Sequence, residues 1–342
     1  MIIVRFVALL QLLKQGFIKE VIHMSIFEAI IQGIVQGLTE FLPVSSSGHL
    51  AISQHILGIK ESNLFFSVML HLGTLLAVIA VYYKLIGRLI VAFVKMVQDI
   101  VKRKYHWNKM DEDQNLVVML LIGLLPLFLL FIPLPFSKGL CAKDIAEIWS
   151  GTNGYLIVVG LSLIVTSILL TLGSKLNKIT EKKFKARGIV RKDGLGRHHF
   201  NVIDALSVGI AQMFAAIFPG ISRSGSTLAV GEMRGLSKQK ALDYAFVLGV
   251  PSVLAAGILE FKDAVSVGAV SADLVPAVIV GIITSAIVGF GAILLFKWML
   301  KKDRMYIFAI YTAIVGAVIT IISIIELASG VNIFTGEPII FM

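Results

Sequence analysis

The chain alternates between long apolar runs and short polar connections. Six of the apolar runs have about 20 residues, which is the length that a helix needs to cross the hydrocarbon core of a bilayer. They cover residues 64–83, 116–136, 155–173, 241–261, 274–296 and 305–325. Pro126, Pro133 and Pro135 are expected to kink or end the second run, because proline cannot donate to the helical hydrogen-bond ladder. Each run is predicted to form one membrane-spanning helix.

Two other apolar stretches, 26–57 and 202–235, are too interrupted to cross a membrane. Each has the pattern of a helix, a polar loop that contains proline, and a second short helix. At membrane depth, non-helical backbone is tolerated only where protein buries it or where it lines a wet cavity. We therefore predict an all-α integral membrane protein with six transmembrane helices and two re-entrant helical hairpins.

Composition and charge agree with a membrane protein and argue against a nucleic-acid partner. Hydrophobic residues make up 57% of the 342 residues and the mean hydropathy is +0.90, whereas soluble domains are about 45–50% apolar. The formal charge of +10 reflects basic residues concentrated in loops at 84–109, 175–197 and 297–304. Such loops mark the cytoplasmic side of a membrane protein. The single cysteine, Cys141, excludes internal disulfides and a cysteine-rich metal site.

With these three loops in the cytoplasm, the spans alternate in direction, and the first hairpin begins outside whereas the second begins inside. The sequence also repeats: GIVQ at 33–36, followed by Pro43, recurs 176 residues later as GIAQ at 209–212, followed by Pro219. One hairpin plus three spans in each half predicts an inverted-topology repeat with a site near the midplane. The predicted units are a first repeat at 24–173, a basic cytoplasmic linker at 174–200 and a second repeat at 201–342.

The first hairpin carries an unusual set of polar residues for an apolar segment. Gln32, Gln36 and Glu40 are four residues apart and share one helix face. Pro43 stops this helix, and the loop SSSGH follows at 45–49. A buried Glu40 must be paired, neutralised or bound to a cation, so it is a structural carboxylate, an acid–base group or, with Gln36, a ligand of Mg²⁺ or Ca²⁺. The histidine of the loop could deprotonate a hydroxyl, although a lone histidine is more often structural.

The second hairpin supplies a cation and more hydroxyls. Its loop, PGISRSGST at 219–227, combines Arg223 with four hydroxyls and two glycines just before a helix. The start of a helix binds anions through its N–H groups and its dipole, and arginine suits bidentate phosphate contact. The alternative is that the hydroxyls only cap the helix and that Arg223 snorkels to an interface. Structural roles are favoured for the remaining intramembrane candidates His71, His55, Glu28, Glu232, Asp204 and Asp243.

The motifs GLTEFLPVSSSGH at 37–49 and PGISRSGST at 219–227 resemble those of the undecaprenyl-diphosphate phosphatase family, the bacitracin-resistance type. The resemblance covers both halves of the chain from about Met24 onward. It implies a multi-pass enzyme of the bacterial plasma membrane that removes the terminal phosphate of a C55 isoprenyl diphosphate. That reaction recycles the carrier lipid of cell-wall synthesis and confers bacitracin resistance. The resemblance also implies an extracytoplasmic site, a divalent cation and frequently a homodimer.

By this resemblance Glu40, Ser46, His49 and Arg223 are catalytic, with Ser46 as the candidate nucleophile. Six further residues are placed at the diphosphate, namely Ser45, Ser47, Ser222, Ser224, Gly225 and Thr227. Glu40 and Gln36 are the implied ligands of the Mg²⁺ or Ca²⁺ ion. Because Gln36 stands where a second glutamate is also found in the family, one negative ligand is missing here.

Two segments have no part in this plan. Residues 1–23 lack the small-residue cleavage site of a secretory signal. They are interpreted as an N-terminal extension, either an interfacial amphipathic segment or an over-called start before Met24. The stretch 102–150 is longer than a minimal family member needs, and the sequence assigns it no role.

The sequence leaves two chemical routes and one other function open. Ser46, activated by His49, attacks the terminal phosphorus, or His49 activates water directly. The runner-up function is a lipid flippase or secondary transporter, which an inverted repeat with broken helices would also suit. The PAP2-type membrane phosphatases share the Ser-Gly-His triplet found at 47–49. That family is discounted because the chain has no Arg-Pro pair and has Ala229 in the place of a required histidine.

Overall fold

The computed structural model describes residues 25–58, 64–134, 140–151, 156–189, 194–266 and 274–338, and the predicted extension at 1–23 lies outside them. In this part of the chain the regular structure is helical apart from isolated β-bridges. The helices are α1 (Ile26–Phe41), α2 (Ser46–Leu57), α3 (Leu64–Val101), α4 (Glu112–Leu124), α5 (Ala142–Gly151), α6 (Leu156–Ala186), α7 (Val202–Ile217), α8 (Arg223–Met233), α9 (Lys238–Ser266), α10 (Val275–Lys301) and α11 (Tyr306–Ser329).

Six elements of the described chain are long and apolar enough to cross a membrane. They are α3, α4 together with the 3₁₀ helix that follows it, α6, α9, α10 and α11. This confirms the prediction of an all-α integral membrane protein with six helices of spanning type. Pro126 lies in the first turn of the 3₁₀ helix, Leu125–Phe131, so the proline ends α4 as its chemistry requires.

Helix α3 is longer than its apolar run, because the following basic segment continues as a helix to Val101. Leu89, Ala92 and Met96 are buried at helical spacing, so this segment still has an apolar face to pack while its basic side chains face outward. The backbone leaves the helical conformation at Tyr82, with φ −107° and ψ 16°. This irregular residue lies next to position 83, where the apolar run was expected to end.

The first interrupted stretch forms α1 and α2 with a break between them. Ser25 and Glu28 begin α1 with a reciprocal capping box. The helix ends before Pro43, since proline disfavours helical backbone at the preceding residue, and Leu42 is extended. With 16 residues, α1 is about 24 Å long, which is less than the ~30 Å of a hydrocarbon core. The helix therefore ends before it is long enough to cross the membrane.

The second interrupted stretch repeats this plan with α7 and α8. Helix α7 also has 16 residues and begins with a capping box between Asn201 and Asp204. The chain breaks at Pro219 and Gly220, and α8 then begins with Ser222 as its N-cap. The helix–break–helix pattern predicted for both stretches is therefore the structure that the chain adopts.

The two breaks are held against each other by packing of the surrounding helices. Helix α1 packs along α10, α7 packs on α4, and α8 packs on α6, which in turn packs along α11. A Cβ atom on Gly48 would lie 3.0 Å from Gly220 Cα, and one on Gly225 would lie 3.1 Å from Pro43 Cβ. Backbone can approach this closely only where side chains are absent, so the loops after α1 and α7 touch.

An ion cluster around a buried carboxylate stabilises the start of the second interrupted stretch. Asp204 is fully buried and accepts two hydrogen bonds from Arg197, at 2.9 and 2.8 Å, and one of 2.9 Å from Arg234 Nε. Burial raises the pKa of Asp204, but the hydrogen bonds from Arg197 and Arg234 outweigh it, so the pKa lies below its usual range. Asp204 thus has the structural role that the sequence favoured.

Candidate functional site

The two interrupted stretches meet at an ion pair between Glu40 and Arg223. Glu40 lies in the last turn of α1 and Arg223 is the first residue of α8. The guanidinium Nη2 donates to Glu40 Oε1. The glutamate side chain is 5% exposed and the arginine side chain 29%. A buried carboxylate needs such a partner, and the pair joins residues that are 183 positions apart.

The second carboxylate oxygen, Glu40 Oε2, is the centre of a polar cluster. Ser46 Oγ donates to it at 2.6 Å and Gln36 Nε2 at 2.9 Å. His71 Nε2, from α3, lies 3.4 Å from the same oxygen. The structure thus brings together four residues that the sequence predicts for the site, Glu40, Ser46, Gln36 and Arg223. It adds His71, for which the sequence favours a structural role.

His71 was assigned a structural role because no motif surrounds it in the sequence. One signal was present: it is the only histidine or charged residue in the apolar run 64–83. An ionisable side chain inside a membrane span is by default a functional candidate. Its proximity to Glu40 could not be deduced, since it depends on how α1 packs against α3.

Beside the ion pair, a cleft opens between α3 and α9. It has about 350 Å³ of empty space, including the open volume at its mouth, and Glu40, Arg223 and Thr74 lie on its wall. The Arg223 side chain passes close to Gly249, since a Cβ atom on this glycine would lie 3.5 Å from the guanidinium carbon. The rest of the wall is mainly apolar and includes Phe41, Leu75, Val78, Phe246, Val250 and Val253. The charged groups therefore lie together at one end of the cleft.

His49 does not join this cluster in the structure. Its Nδ1 lies 2.8 Å from the Ser45 carbonyl, and its Nε2 lies 2.8 Å from the hydroxyl of Tyr311 on α11. The imidazole also stacks on the tyrosine ring, with 5.6 Å between centroids. In the described chain Ser46 Oγ donates to Glu40 and not to His49. The expected Ser46–His49 contact is thus replaced by a Ser46–Glu40 contact, because both imidazole nitrogens already have partners.

The residues predicted to bind the diphosphate shape the starts of α2 and α8. They are Ser45, Ser47, Ser222, Ser224, Gly225 and Thr227. Ser45 has a positive φ of 74° and accepts from Gly48 N, and its Oγ lies 3.3 Å from Ser47 Oγ. Ser222 accepts from Gly225 N at 3.0 Å in the same way.

Two further hydroxyls of the second loop bond to backbone carbonyls. Thr227 Oγ1 donates to the Arg223 carbonyl at 2.7 Å, and Ser224 Oγ donates to the Leu42 carbonyl at 3.4 Å. Ser224 therefore bridges the second hairpin to the first. In this state the hydroxyls of both loops have intramolecular partners, and their contact with a phosphate stays a prediction.

The residues present do not fit a cation held by protein ligands alone. Glu40 Oε1 is already paired with the Arg223 guanidinium, and Gln36 directs its N–H group, not its oxygen, at the carboxylate. Gln36 Oε1 is buried without a hydrogen-bond partner. Across the described ranges no group of three His, Cys, Asp or Glu side chains could hold a metal ion. Further oxygen ligands for Mg²⁺ or Ca²⁺ would have to come from groups other than these side chains, such as the oxygens of a bound phosphate.

Six helices of spanning type, with a buried carboxylate that contacts a guanidinium and a hydroxyl, define an integral membrane protein with an internal polar site. A family model described as "Bacitracin resistance protein BacA" matches residues 29–318. The chain belongs to this family, as the two motifs implied.

Curated relatives share this assignment over nearly their full length. A protein named undecaprenyl-diphosphatase from Alkaliphilus metalliredigens is 36% identical over 303 residues, which cover 88% of this chain and 100% of the relative. Proteins of the same name from Halothermothrix orenii and Methanosphaera stadtmanae are each 35% identical over 88% of this chain and 99% of their own. The similarity therefore extends well beyond the two motifs.

Proposed function

We propose that this protein is an undecaprenyl-diphosphate phosphatase that works at the Glu40–Arg223 site. It removes the terminal phosphate of undecaprenyl diphosphate and releases undecaprenyl phosphate and inorganic phosphate. Membership of the BacA family and relatives named undecaprenyl-diphosphatase support this activity, and the family name connects it with bacitracin resistance. The observation that carries the site is a partly exposed arginine paired with a buried glutamate beside an apolar cleft.

Arg223 is proposed to bind the terminal phosphate. Its guanidinium lies in the wall of the cleft and is the more exposed member of the ion pair, so a phosphate can reach N–H groups that Glu40 does not use. Arginine matches phosphate oxygens in a bidentate geometry. Neutralising the charge of the transferred phosphoryl group is the main task in such reactions.

Ser46 is the proposed nucleophile and Glu40 its proton acceptor. Ser46 Oγ attacks the terminal phosphorus, and its proton passes to Glu40 Oε2, which lies 2.6 Å away. The bond from phosphorus to the bridging oxygen breaks, and undecaprenyl phosphate leaves. Water then hydrolyses the phosphoserine and releases inorganic phosphate. The alternative, in which His49 activates water directly, would leave the protein unmodified throughout.

The prenyl tail is proposed to lie along the cleft between α3 and α9. Leu75 and Val78 contribute one apolar wall, and Val250 and Val253 contribute the other. A lipid diphosphate could enter this cleft from the side, with its head group at Arg223 and its tail among the spans. The combination of a single charged end with apolar walls fits an amphiphilic substrate.

The two interrupted stretches are proposed to be re-entrant hairpins in an inverted repeat, with units at 24–173 and 201–342 around a linker at 174–200. Their contacting loops and the matching packing of α1 on α10 and of α7 on α4 support this arrangement.

With basic loops inside, the site would open to the extracytoplasmic side. A homodimer is proposed from the family resemblance alone. A divalent cation, if required, is proposed to bind mainly through diphosphate oxygens, and a chelator series tests that requirement.

The test is phosphate release from undecaprenyl diphosphate by the purified full-length chain. Arg223→Ala is expected to lower kcat/KM by about a hundredfold or more, because the guanidinium contact to the phosphoryl group is lost. Arg88→Ala, which removes a largely exposed arginine from α3, is the matched control and should retain activity. Release that is unaffected by Arg223→Ala would disprove the site. Lipid transfer between leaflets without any phosphate release would favour a flippase.

A further inference from the structure

His71 approaches the reactive carboxylate but takes no part in the steps above. Its side chain is 26% exposed and extends from α3 toward the Glu40 carboxylate of α1. The distance from His71 Nε2 to Glu40 Oε2 is 3.4 Å, slightly longer than an ordinary hydrogen bond. The imidazole is therefore a near neighbour of Glu40 that can move into contact.

The backbone of α3 sets the orientation of this imidazole. His71 Nδ1 lies 2.7 Å from the Ser67 carbonyl oxygen. A carbonyl can only accept a hydrogen bond, so Nδ1 carries a hydrogen. The ring is thereby fixed with Nε2 directed at Glu40, in the way that a second hydrogen bond orients a functional histidine. The imidazole therefore faces Glu40 in one defined orientation.

The need for His71 arises when substrate binds. In the structure Arg223 and His71 are the basic side chains of the described chain that approach the Glu40 carboxylate. A phosphate that binds the other N–H groups of the guanidinium weakens the Arg223–Glu40 pair, because one positive charge is then shared between two anions. Glu40 would then be a buried carboxylate that has lost its charged partner, which is costly.

We infer that His71 is a positioning residue that replaces Arg223 as the partner of Glu40 when the diphosphate binds. With a hydrogen on each ring nitrogen, His71 donates Nδ1–H to the Ser67 carbonyl and Nε2–H to the carboxylate, which keeps the second oxygen directed at Ser46. His71 thus acts through Glu40 and touches neither the phosphorus nor the leaving group. This inference rests on the proposed function and adds a residue that neither motif contains.

The experiment compares His71→Leu with His71→Gln in the full-length protein, with phosphate release from undecaprenyl diphosphate as the assay. Loss of one hydrogen bond to a charged group should lower kcat about ten- to a hundredfold in His71→Leu. KM should change less than kcat, since His71 does not touch the substrate. His71→Gln keeps an N–H donor at this place and should recover most of the lost kcat.

His55→Leu is the matched control. His55 lies at the other end of α2 from Ser46. It is a buried histidine whose Nε2 is 2.8 Å from another carboxylate, Glu326. Its substitution should lower the melting temperature and leave kcat of the folded protein unchanged. The inference is overturned if His71→Leu keeps kcat within about twofold of the wild type, or if His71→Gln is as slow as His71→Leu. An inactive wild-type protein would instead overturn the proposed function.

Discussion

At the scale of single residues, the partners of each side chain decide what it can do. Ser46 and His49 are three residues apart on the first turn of α2, yet their contacts diverge. Ser46 donates to Glu40, whereas His49 contacts the Ser45 carbonyl and Tyr311. The hydroxyl therefore faces the carboxylate and guanidinium, and the imidazole faces α11. The chemistry of the loop depends on this division.

Ser46→Ala tests the nucleophile directly. If Ser46 forms the phosphoserine, its loss should lower kcat about a thousandfold or more, because no other group takes its place in the first step. With substrate labelled at the terminal phosphate, acid quenching should trap label on the wild-type protein and none on Ser46→Ala. Ser53→Ala, on the same helix, removes a hydroxyl that bonds to Gln32 and is the control. A Ser46→Ala protein as active as the wild type would favour direct attack by water.

At the scale of elements, the site exists because two helix breaks touch. Each interrupted stretch has a 16-residue helix, a break at a proline and a short helix that begins with a serine cap. The breaks approach each other closely where Gly48 meets Gly220. Glu40 and Arg223, one from each stretch, can pair only at this separation. A side chain added at the contact should therefore act on the site.

Gly48→Val is expected to separate the two loops. Its Cβ would lie 3.0 Å from Gly220 Cα, a backbone atom that cannot rotate away. Overpacking of this kind costs about 1–3 kcal/mol of stability, and activity should fall about tenfold or more because the Glu40–Arg223 distance grows. Thermal unfolding and phosphate release measure both effects.

The matched control for that substitution is Gly87→Ala in α3. A Cβ at Gly87 would have nothing within 4 Å, and alanine stabilises an exposed helix by up to about 1 kcal/mol relative to glycine. The control should therefore keep activity and stability. If Gly48→Val matched this behaviour, the contact between the loops would not matter to the site.

At the level of the complete fold, ion pairs outside the spanning helices connect α7 and α8 of the second interrupted stretch. Asp204 at the start of α7 binds Arg197 from the preceding segment and Arg234 from the end of α8. Arg197 also donates to the Arg234 carbonyl at 2.6 Å. One buried carboxylate thus joins three consecutive parts of the chain, and the position of Arg223 depends on them.

This cluster predicts a specific loss of stability in acid. The pKa of Asp204 is depressed in the folded protein, so its contribution is present above the pKa of the unfolded chain and is lost as pH falls through the folded pKa. Asp204→Asn should lower stability by about 1.5–3 kcal/mol at neutral pH, since the hydrogen bonds from Arg197 and Arg234, whose side chains are about one third exposed, lose their charged acceptor. The difference in stability between Asp204→Asn and the wild type should shrink as the pH is lowered toward and below the ordinary pKa range of aspartate.

Thermal unfolding in detergent between neutral and acidic pH measures this effect. Asp113→Asn removes a more exposed carboxylate that lies 3.6 Å from Arg88 and should have little effect, because surface pairs contribute about 0–1 kcal/mol. If the curves of Asp204→Asn and the wild type stayed parallel over the whole pH range, Asp204 would not be the group responsible.

The helices could largely be predicted because their causes are local. The six apolar runs locate the helices of spanning type, and Pro43 and Pro126 mark helix ends through the geometry of their own rings. The extension of α3 to Val101 was missed, because charge density suggested a loop while the buried face of Leu89, Ala92 and Met96 continued the helix.

The sequence alone determined the membrane class, the broken helices and the residue types of the site, since hydrophobic length, proline geometry and the two motifs act within short segments. Which of these residues meet depends on the tertiary fold. Glu40 pairs with Arg223 and lies beside His71, and His49 lies on Tyr311, through packing of helices that are distant in the chain. Those contacts follow from the summed burial of many side chains, which no single segment of sequence specifies.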